Sequence, residues 1–562
     1  MTTCELVISS ITMFRPMVTF GRVRAWIFTS LLACCILFAT LGSYKRQTPL
    51  PSIYDYTDGR TRGAWLNGTE DESQSEETDY LQYLVQQYGL TNEVPWFAQR
   101  VRPRFNSRTR KSMTQVSSKF LSRDFQRVHA DDESLDLHAE KAVQVSVTKS
   151  NTPDQLDASS LLFGISTSYD RLRLTYSNTS LIHEWTRWLT DGQGHSNGAS
   201  LVLTLHHATS SQVGYVSNKM REVGIDAVVL PAKDGRDITG RYLDLVGMLA
   251  YQKDELSKEG LEKNFLALVD DDIFFPSIGK LLSRLNKFDA KEKGYIGMPS
   301  ERSDWVVEGN TTLTYGGGAV IFTPPMMENV TQLPCIGNPT QDPTKTAKRT
   351  AQWDETLFNC IAGHTDENLH ILPSFYTPED DLYGLRSGYE GGIQPLTLHH
   401  YKHRHRFEPD KGHLVTSLCG EDCFLQRFWF RDDWILVNGH TISQYDPESV
   451  DVLPLKKSSL LVSQHSQRNE HTTTKTAGRL VVDKIEGHEE RKVVSWAGTK
   501  RTWRLLDARV GPGGEVWQAY VKRRGSAGTY GDEDDRLPED TVHTQDGPSD
   551  VDSVIVLIWE RW

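Results

Sequence analysis

Five apolar residues, Phe265, Leu266, Ala267, Leu268 and Val269, run straight into Asp270-Asp271-Asp272, and Pro276 then opens a helical pattern with apolar residues at Ile278, Leu281, Leu282 and Leu285. An apolar run of this length reads as a buried strand, so the three acids stand at its carboxyl end. In an open α/β sheet that edge is where ligands bind. Carboxylates crowded there repel one another unless a cation neutralises them, and hard divalent ions take such oxygen ligands while bridging phosphates. The same three acids also suit the cap and dipole of the helix that follows, a reading that needs no ligand.

Further apolar runs precede the aspartates at residues 161–167, 201–205 and 227–230, separated by helical stretches near 182–189 and 242–251. Strands alternating with helices predict a largely parallel, doubly wound α/β sheet within residues 156–445. The pattern then changes. A short run at Leu480 to Val482, Trp496, Trp503, residues 516–521 and the terminal run 554–559 predict a β-rich accessory extension over 446–562. The terminal run is too apolar to leave exposed and is expected to pair back as a strand, and the aromatics of this part are expected to be core. Residues 45–155 are polar and broken by Pro, Ser, Thr and charge, with one amphipathic stretch at 80–90, and are expected to be a stem. Within them the basic residues 100–111 read as solvated linker.

A formal net charge of -12 over 562 residues, with no dominant basic face, excludes a nucleic-acid partner. Residues 25–44 carry no charge and would span about 30 Å as a helix. They exceed a usual signal-peptide core and are followed by no clear cleavage site. The sequence thus predicts a cytoplasmic tail at 1–24, a transmembrane anchor at 25–44 and a lumenal body, the layout of a single-pass type II protein of the Golgi or ER membrane. Four glycosylation acceptor triplets, at Asn67, Asn178, Asn310 and Asn329, fall on one side of that anchor. Of the cysteines, Cys335, Cys360, Cys419 and Cys423 belong to the body and allow three complete pairings. The closeness of Cys419 to Cys423 favours a local loop beside a Cys335 to Cys360 bridge, with a zinc site as the alternative.

Downstream of the aspartates come Gly294-Tyr-Ile-Gly297, then Tyr315-Gly316-Gly317-Gly318-Ala319, Trp353-Asp354-Glu355-Thr356-Leu357, Ser387-Gly-Tyr-Glu390 and Leu396-Thr-Leu-His399-His400-Tyr-Lys402. Three glycines in a row admit close approach of a ligand to the backbone, or make a tight turn. In this order and spacing the series resembles glycosyltransferase family 31, the fringe-like and β-1,3-glycosyltransferase group, and especially its fungal branch. The likeness runs from about residue 161 to 445 and includes Cys419-Gly-Glu-Asp-Cys423 and Asn438-Gly-His440.

The resemblance implies a GT-A fold, a nucleotide-sugar donor such as a UDP-sugar, a manganese or other divalent ion, and inversion at the anomeric carbon to give a β-linkage. It implies Asp272 as a direct metal ligand, Asp270 as a second ligand or nucleotide contact, Asp271 as a further nucleotide contact, and His399 as the late metal ligand, with His400 in reserve. It also implies Gly316, Gly317 and Gly318 as the acceptor-side loop and Asp354 as general base. The amino-terminal donor motif is partly present in Thr167-Ser-Tyr-Asp-Arg171 and Arg241-Tyr242, which assigns Arg171 and Arg241 to the nucleotide. Gln352-Trp353 stands where the fungal branch more often shows glycines and is expected to alter the acceptor pocket.

The residue types agree with that chemistry. A cation and basic side chains stabilise a departing diphosphate, and a placed carboxylate takes the acceptor's proton. The expected function is therefore a metal-dependent transfer of sugar to a glycan or glycoprotein. The alternatives are a non-catalytic glycan-binding protein that keeps the fold and, with less in its favour, an aspartate-based phosphohydrolase.

Overall fold

The computed structural model describes residues 75–108, 110–111, 113–173, 181–298, 306–307, 311–312, 319–337, 352–372, 394–399, 401, 408–445, 450–454, 480–482, 492–496, 500–524 and 550–561. Each apolar run that leads up to the aspartates forms a strand. Leu161–Ser168, Ser200–His206, Asp226–Pro231 and Phe265–Val269 lie parallel, with Leu161–Ser168 between Ser200–His206 and Phe265–Val269. Beyond Phe265–Val269 the sheet continues through Ala319–Phe322, which is antiparallel to both neighbours, and then Tyr295–Met298, Leu369–Ile371 and Leu480–Val482. The result is a mixed α/β architecture built on an eight-stranded sheet that is mostly parallel.

The order of these strands locates a crevice. The chain leaves Leu161–Ser168 toward one edge, passes through Ser200–His206 and Asp226–Pro231, and returns on the other side as Phe265–Val269. Strand order reverses between Leu161–Ser168 and Phe265–Val269, and their carboxyl ends frame a switch point. The return is made by the helix Ile238–Lys258, whose Leu245, Val246 and Leu249 are fully buried. That helix sits so near Leu161–Ser168 that a Cβ on Gly164 would meet Leu249 Cδ1 at 3.0 Å, which is why the strand carries a glycine there.

A second, ten-stranded sheet draws on both ends of the chain. Thr114–Gln115, Arg427–Trp429, Trp434–Val437, Thr441–Tyr445, Lys500–Val510, Val516–Lys522 and Ser553–Trp559 follow one another, and Glu93–Asn106 lies beside Ser553–Trp559. Gln126–His129 and Glu140–Thr148 both pair with Glu93–Asn106. The terminal run pairs as a strand, as its apolarity requires. Its core holds Trp434, Trp517, Tyr520 and Trp559, all at most 1% exposed.

Three expectations change here. The region expected to be a stem instead folds as the helix Glu76–Tyr88 and four strands of the second sheet. Its basic stretch is not simply solvated linker: Arg100 bonds Glu77 and Glu560, each at 2.9 Å, and Arg102 bonds Glu560 at 2.7 Å. Pro95 and Pro103 inside Glu93–Asn106 hid the strand, because proline usually marks an edge or a break. The β-rich extension is likewise not separate, since Leu480–Val482 completes the edge of the first sheet.

The expected single-pass Golgi or ER membrane topology is also corrected, because no helix among the described residues is long and apolar enough to cross a membrane. The longest of them, Ile238–Lys258, carries Arg241, Asp244, Lys253, Asp254 and Glu255 along its length. The expected tail at 1–24 and anchor at 25–44 lie outside the described residues.

If residues 75–155 are part of the fold, a chain beginning at residue 156 should be insoluble or lack cooperative unfolding, because it bares the Ser553–Trp559 strand along its whole length. Circular dichroism and thermal unfolding of that shortened chain check this. A soluble, cooperatively folded product would restore the stem.

Candidate active site

Asp270, Asp271 and Asp272 follow the strand Phe265–Val269 at the switch point and have different partners. Asp271 reaches across to the neighbouring strand, where it accepts from the hydroxyl of Thr167 and, at 2.6 Å, from Arg171 in the helix Tyr169–Arg173. Burial pushes its carboxyl up to about 6 even though Arg171 and Thr167 pull it down. Asp271 thus has a protein donor on each oxygen and ties the aspartate loop to the adjacent strand. Arg171 also lies 4.0 Å from Asp272, and its side chain keeps 55% of its exposure at the mouth of the crevice.

Asp270 and Asp272 turn to a histidine far along the chain. Ile273–Phe274 and Leu398–His399 form a two-stranded antiparallel clip, with Ile273 opposite His399 and Phe274 opposite Leu398. This pairing puts His399 Nε2 3.4 Å from Asp270 Oδ2 and 3.4 Å from Asp272 Oδ1. One ligand atom from each of the three lies within 4.8 Å of the others. Burial works against a charged His399, but its bonds to Asp270 and Asp272 and their charges outweigh that and raise the imidazolium to about 10. Two carboxylates and an imidazole converging in this way fit a divalent transition metal such as manganese better than calcium.

The remaining oxygen of Asp270 is held from below. Trp353 Nε1 donates to Asp270 Oδ1 at 2.7 Å, and its indole stacks on Tyr242 with centroids 4.3 Å apart and planes within 10°. Tyr242 in turn donates to the carbonyl of Val269 at 2.8 Å, immediately before the aspartates. In the sequence Trp353 stood out only as a departure from the family pattern; in the fold it orients a candidate ligand. A tryptophan next to the candidate base was the signal available for it.

Asp354 occupies the first turn of the helix Trp353–His364, one residue inside its start, while Gln352 is the N-cap and makes no side-chain cap. Asp354 Oδ1 accepts from the amide of Glu355 at 2.9 Å. Burial and then the charge of Asp270 lift its carboxyl to about 6, and the charge of His399 draws it back down. Asp354 therefore shares the field of the candidate metal residues.

Arg241, half-buried, donates from Nε to Ser166 at 3.0 Å and from Nη1 to the carbonyl of Arg236 at 3.2 Å, bracing the end of the strand Leu161–Ser168. Cys335 pairs with Cys360 and Cys419 with Cys423, so the cysteines expected to bridge do so and none of the four is left for a zinc site. Asn329 is half-buried in the helix Pro324–Thr331. Gly316, Gly317, Gly318, His400, Asn67, Asn178 and Asn310 lie outside the described residues.

No protein-family model matches the chain, and no curated protein matches it. Among solved structures it is similar to glycosyltransferase GlyE of Streptococcus pneumoniae TIGR4, at 12% identity and a TM-score of 0.25 over 42% of this chain and 53% of that one. It is also similar to mannosyltransferase PcManGT of Pyrobaculum calidifontis, solved with GDP-Man and Mn2+, at 10% identity and a TM-score of 0.21 over 32% and 49%. A third is a nucleoside-diphosphate-sugar pyrophosphorylase of Vibrio cholerae, at 11% identity and a TM-score of 0.25 over 40% and 99%. The chain thus spans about half the length of the pneumococcal protein it matches. The functional reading below stands on the site's own residues.

The raised carboxyl of Asp354 has a consequence for stability. A group whose pKa is higher in the folded state stabilises below its unfolded value, and that contribution is lost as pH rises through about 6. Asp354→Asn should therefore be the more stable protein at pH 7.5, by up to about 3 kcal/mol before solvent screening is allowed for, with the gap closing near pH 4. Thermal unfolding at the two pH values reads the difference.

Proposed function

We propose that this chain is a divalent-cation-dependent inverting glycosyltransferase of GT-A fold and family 31 type. It moves a sugar from a nucleotide-sugar donor, a UDP-sugar, to a hydroxyl of a glycan or glycoprotein and forms a β-linkage. The supporting observation is the meeting of Asp270, Asp272 and His399 at the carboxyl edge of the sheet, with Asp354 in the same electrostatic field. A helix cap does not need a histidine that lies more than a hundred residues away in sequence.

Asp270, Asp272 and His399 would hold the cation. When bound, it supplies positive charge against the diphosphate that leaves. The chain's own residues supply the rest. Arg171, bonded to Asp271 and half-exposed, would meet the nucleotide's phosphates, and Arg241 braces the neighbouring strand through Ser166. A bidentate guanidinium suits that contact better than an ammonium. Asp354 is ionised at neutral pH, yet its raised pKa makes it a better proton acceptor than an ordinary aspartate, which suits a base for the attacking hydroxyl. His399, protonated between the carboxylates of Asp270 and Asp272, must give up that proton to become a ligand, so cation affinity should rise with pH.

Two sets of variants test this reading. Asp272→Ala and His399→Ala should each weaken Mn2+ binding by about tenfold or more while leaving thermal unfolding near wild type, as measured by calorimetry with nucleotide present. Unchanged affinity in both would take the cation from Asp272 and His399. Asp354→Asn should keep donor and cation binding but lower sugar transfer by about a hundred- to ten-thousand-fold. In the wild type, kcat/KM should fall tenfold per pH unit below about 6, the protonated carboxyl being inactive. A flat profile between pH 5 and 8, or full activity in Asp354→Asn, would take the base role from Asp354. Glycan binding with no affinity for nucleotide or metal would favour a non-catalytic protein instead.

A further inference from the structure

The clip that brings His399 to Asp272 is only two residues long on each side, Ile273–Phe274 against Leu398–His399. A ladder this short is marginal by itself, so its register must be fixed from outside. Tyr401 lies two residues past His399 and is 1% exposed. Its ring meets Phe274 edge-on, with centroids 6.1 Å apart at 75°, and its hydroxyl donates to Glu184 Oε2. Glu184 is 0% exposed and belongs to the helix Leu181–Leu189. One turn on, Trp188 of the same helix packs edge-on against Phe275, at 4.9 Å and 62°, and against Phe163 of the strand Leu161–Ser168, at 5.0 Å and 74°. Residues four apart share a helix face, so this helix grips both strands of the clip, Trp188 beside the aspartate strand and Glu184 at the histidine strand.

A fully buried carboxyl is a poor way merely to fasten a helix, because an apolar pair of similar volume packs at no desolvation cost. What the pair adds is direction. A hydroxyl-to-carboxylate bond fixes where the Tyr401 ring stands, and that ring stands against Phe274. We propose that Glu184 and Tyr401 are positioning residues that hold the Leu398–His399 strand in register with Ile273–Phe274 and so preset His399 Nε2 between Asp270 and Asp272. The proposal rests on the cation reading given above and extends it to residues that touch neither cation nor substrate. Ligand-orienting partners of this kind typically govern metal affinity by about ten- to a hundredfold.

Two readouts on the full chain test it. Hydrogen–deuterium exchange is followed in peptides covering residues 273–274 and 398–401 without metal, and Mn2+ affinity is measured by calorimetry. Tyr401→Phe keeps the ring but loses the bond, so it should speed exchange in both peptides by about tenfold and weaken Mn2+ by about tenfold or more. Glu184→Leu should do the same. Glu184→Gln still accepts from the Tyr401 hydroxyl and should recover most of both losses, and since Gln also keeps the shape of Glu, it is Tyr401→Phe that separates the bond from packing. Joining Tyr401→Phe to Glu184→Leu should be no worse than Glu184→Leu alone, because the bond between the two is already lost in it. Wild-type exchange in Tyr401→Phe, or losses that add in the double variant, would overturn the proposal. If the wild-type chain binds no Mn2+, the cation reading falls, and the exchange comparison still decides whether the pair sets the register. If Glu184→Leu does not fold, Tyr401→Phe and Glu184→Gln decide it.

Discussion

Three adjacent carboxylates at the end of one buried strand must each be compensated, and the crevice is built from the solutions. Asp271 is satisfied within the protein by Thr167 and Arg171. Asp270 takes the indole N–H of Trp353 on one oxygen and faces His399 with the other. Asp272 has His399 at 3.4 Å and Arg171 at 4.0 Å. Three carboxylates held this close repel one another, and neighbouring positive charge relieves that repulsion. Burial lifts the Asp354 carboxyl, and the charge of Asp270 in the same cluster adds to that rise.

The loop before Arg427–Trp429 of the second sheet supports that arrangement through Glu421 and Asp422. Glu421 sits in the loop closed by the Cys419 to Cys423 disulfide and caps the helix Ile278–Leu285, which follows directly from the aspartates. It accepts from the hydroxyl of Ser277 at 2.6 Å and from the amides of Ile278 and Gly279 at 2.9 and 3.0 Å. A Cβ on Gly279 would stand 2.9 Å from Glu421 Oε2, so any larger residue there would displace that carboxylate. Asp422, next in the loop, pairs with Lys280 at 2.5 Å. The compact Cys-Gly-Glu-Asp-Cys sequence is thus a device for presenting two acids to a helix start, where a negative charge meets the orphan N–H groups.

What the sequence made legible was local. The apolar run before the aspartates, the alternation of strands and helices, the terminal strand and the two disulfides could each be read within a window of a few to a few tens of residues, because burial periodicity and cysteine spacing are local signals. Asp270, Asp272 and His399 could be named together only through the ordered resemblance, since nothing in composition joins residues so far apart. What failed to show was non-local or masked by proline. Glu93–Asn106 carries Pro95 and Pro103, and its neighbour Ser553–Trp559 lies at the other end of the chain. Trp353 was legible only as a departure from the family pattern and Tyr401 only as part of the run after His399, and it is their hydrogen-bonding ends, aimed at Asp270 and Glu184, that set them apart.

The pairing of Glu93–Asn106 with Ser553–Trp559 also bears on how the site comes together. The match is parallel, from Trp96 opposite Val554 to Val101 opposite Trp559, and the arginines of one strand close on Glu560 just beyond the other. Contacts between the two ends of a long chain cost the most loop entropy and form late. The sheet completed in this way also contains Arg427–Trp429 and Trp434–Val437, which flank the loop that carries Glu421 through the amide of Leu425 on the carbonyl of Asn438 and that of Asn438 on Gln426. The first sheet gathers its parallel strands from contacts within a few tens of residues; the helix start behind the aspartates has its own N-cap in Ser277, and Glu421 adds its bonds from the loop before Arg427–Trp429 of the second sheet. Support for the aspartate loop is therefore drawn from both sheets, since the aspartates follow Phe265–Val269 of the first and Glu421 lies in the loop before Arg427–Trp429 of the second.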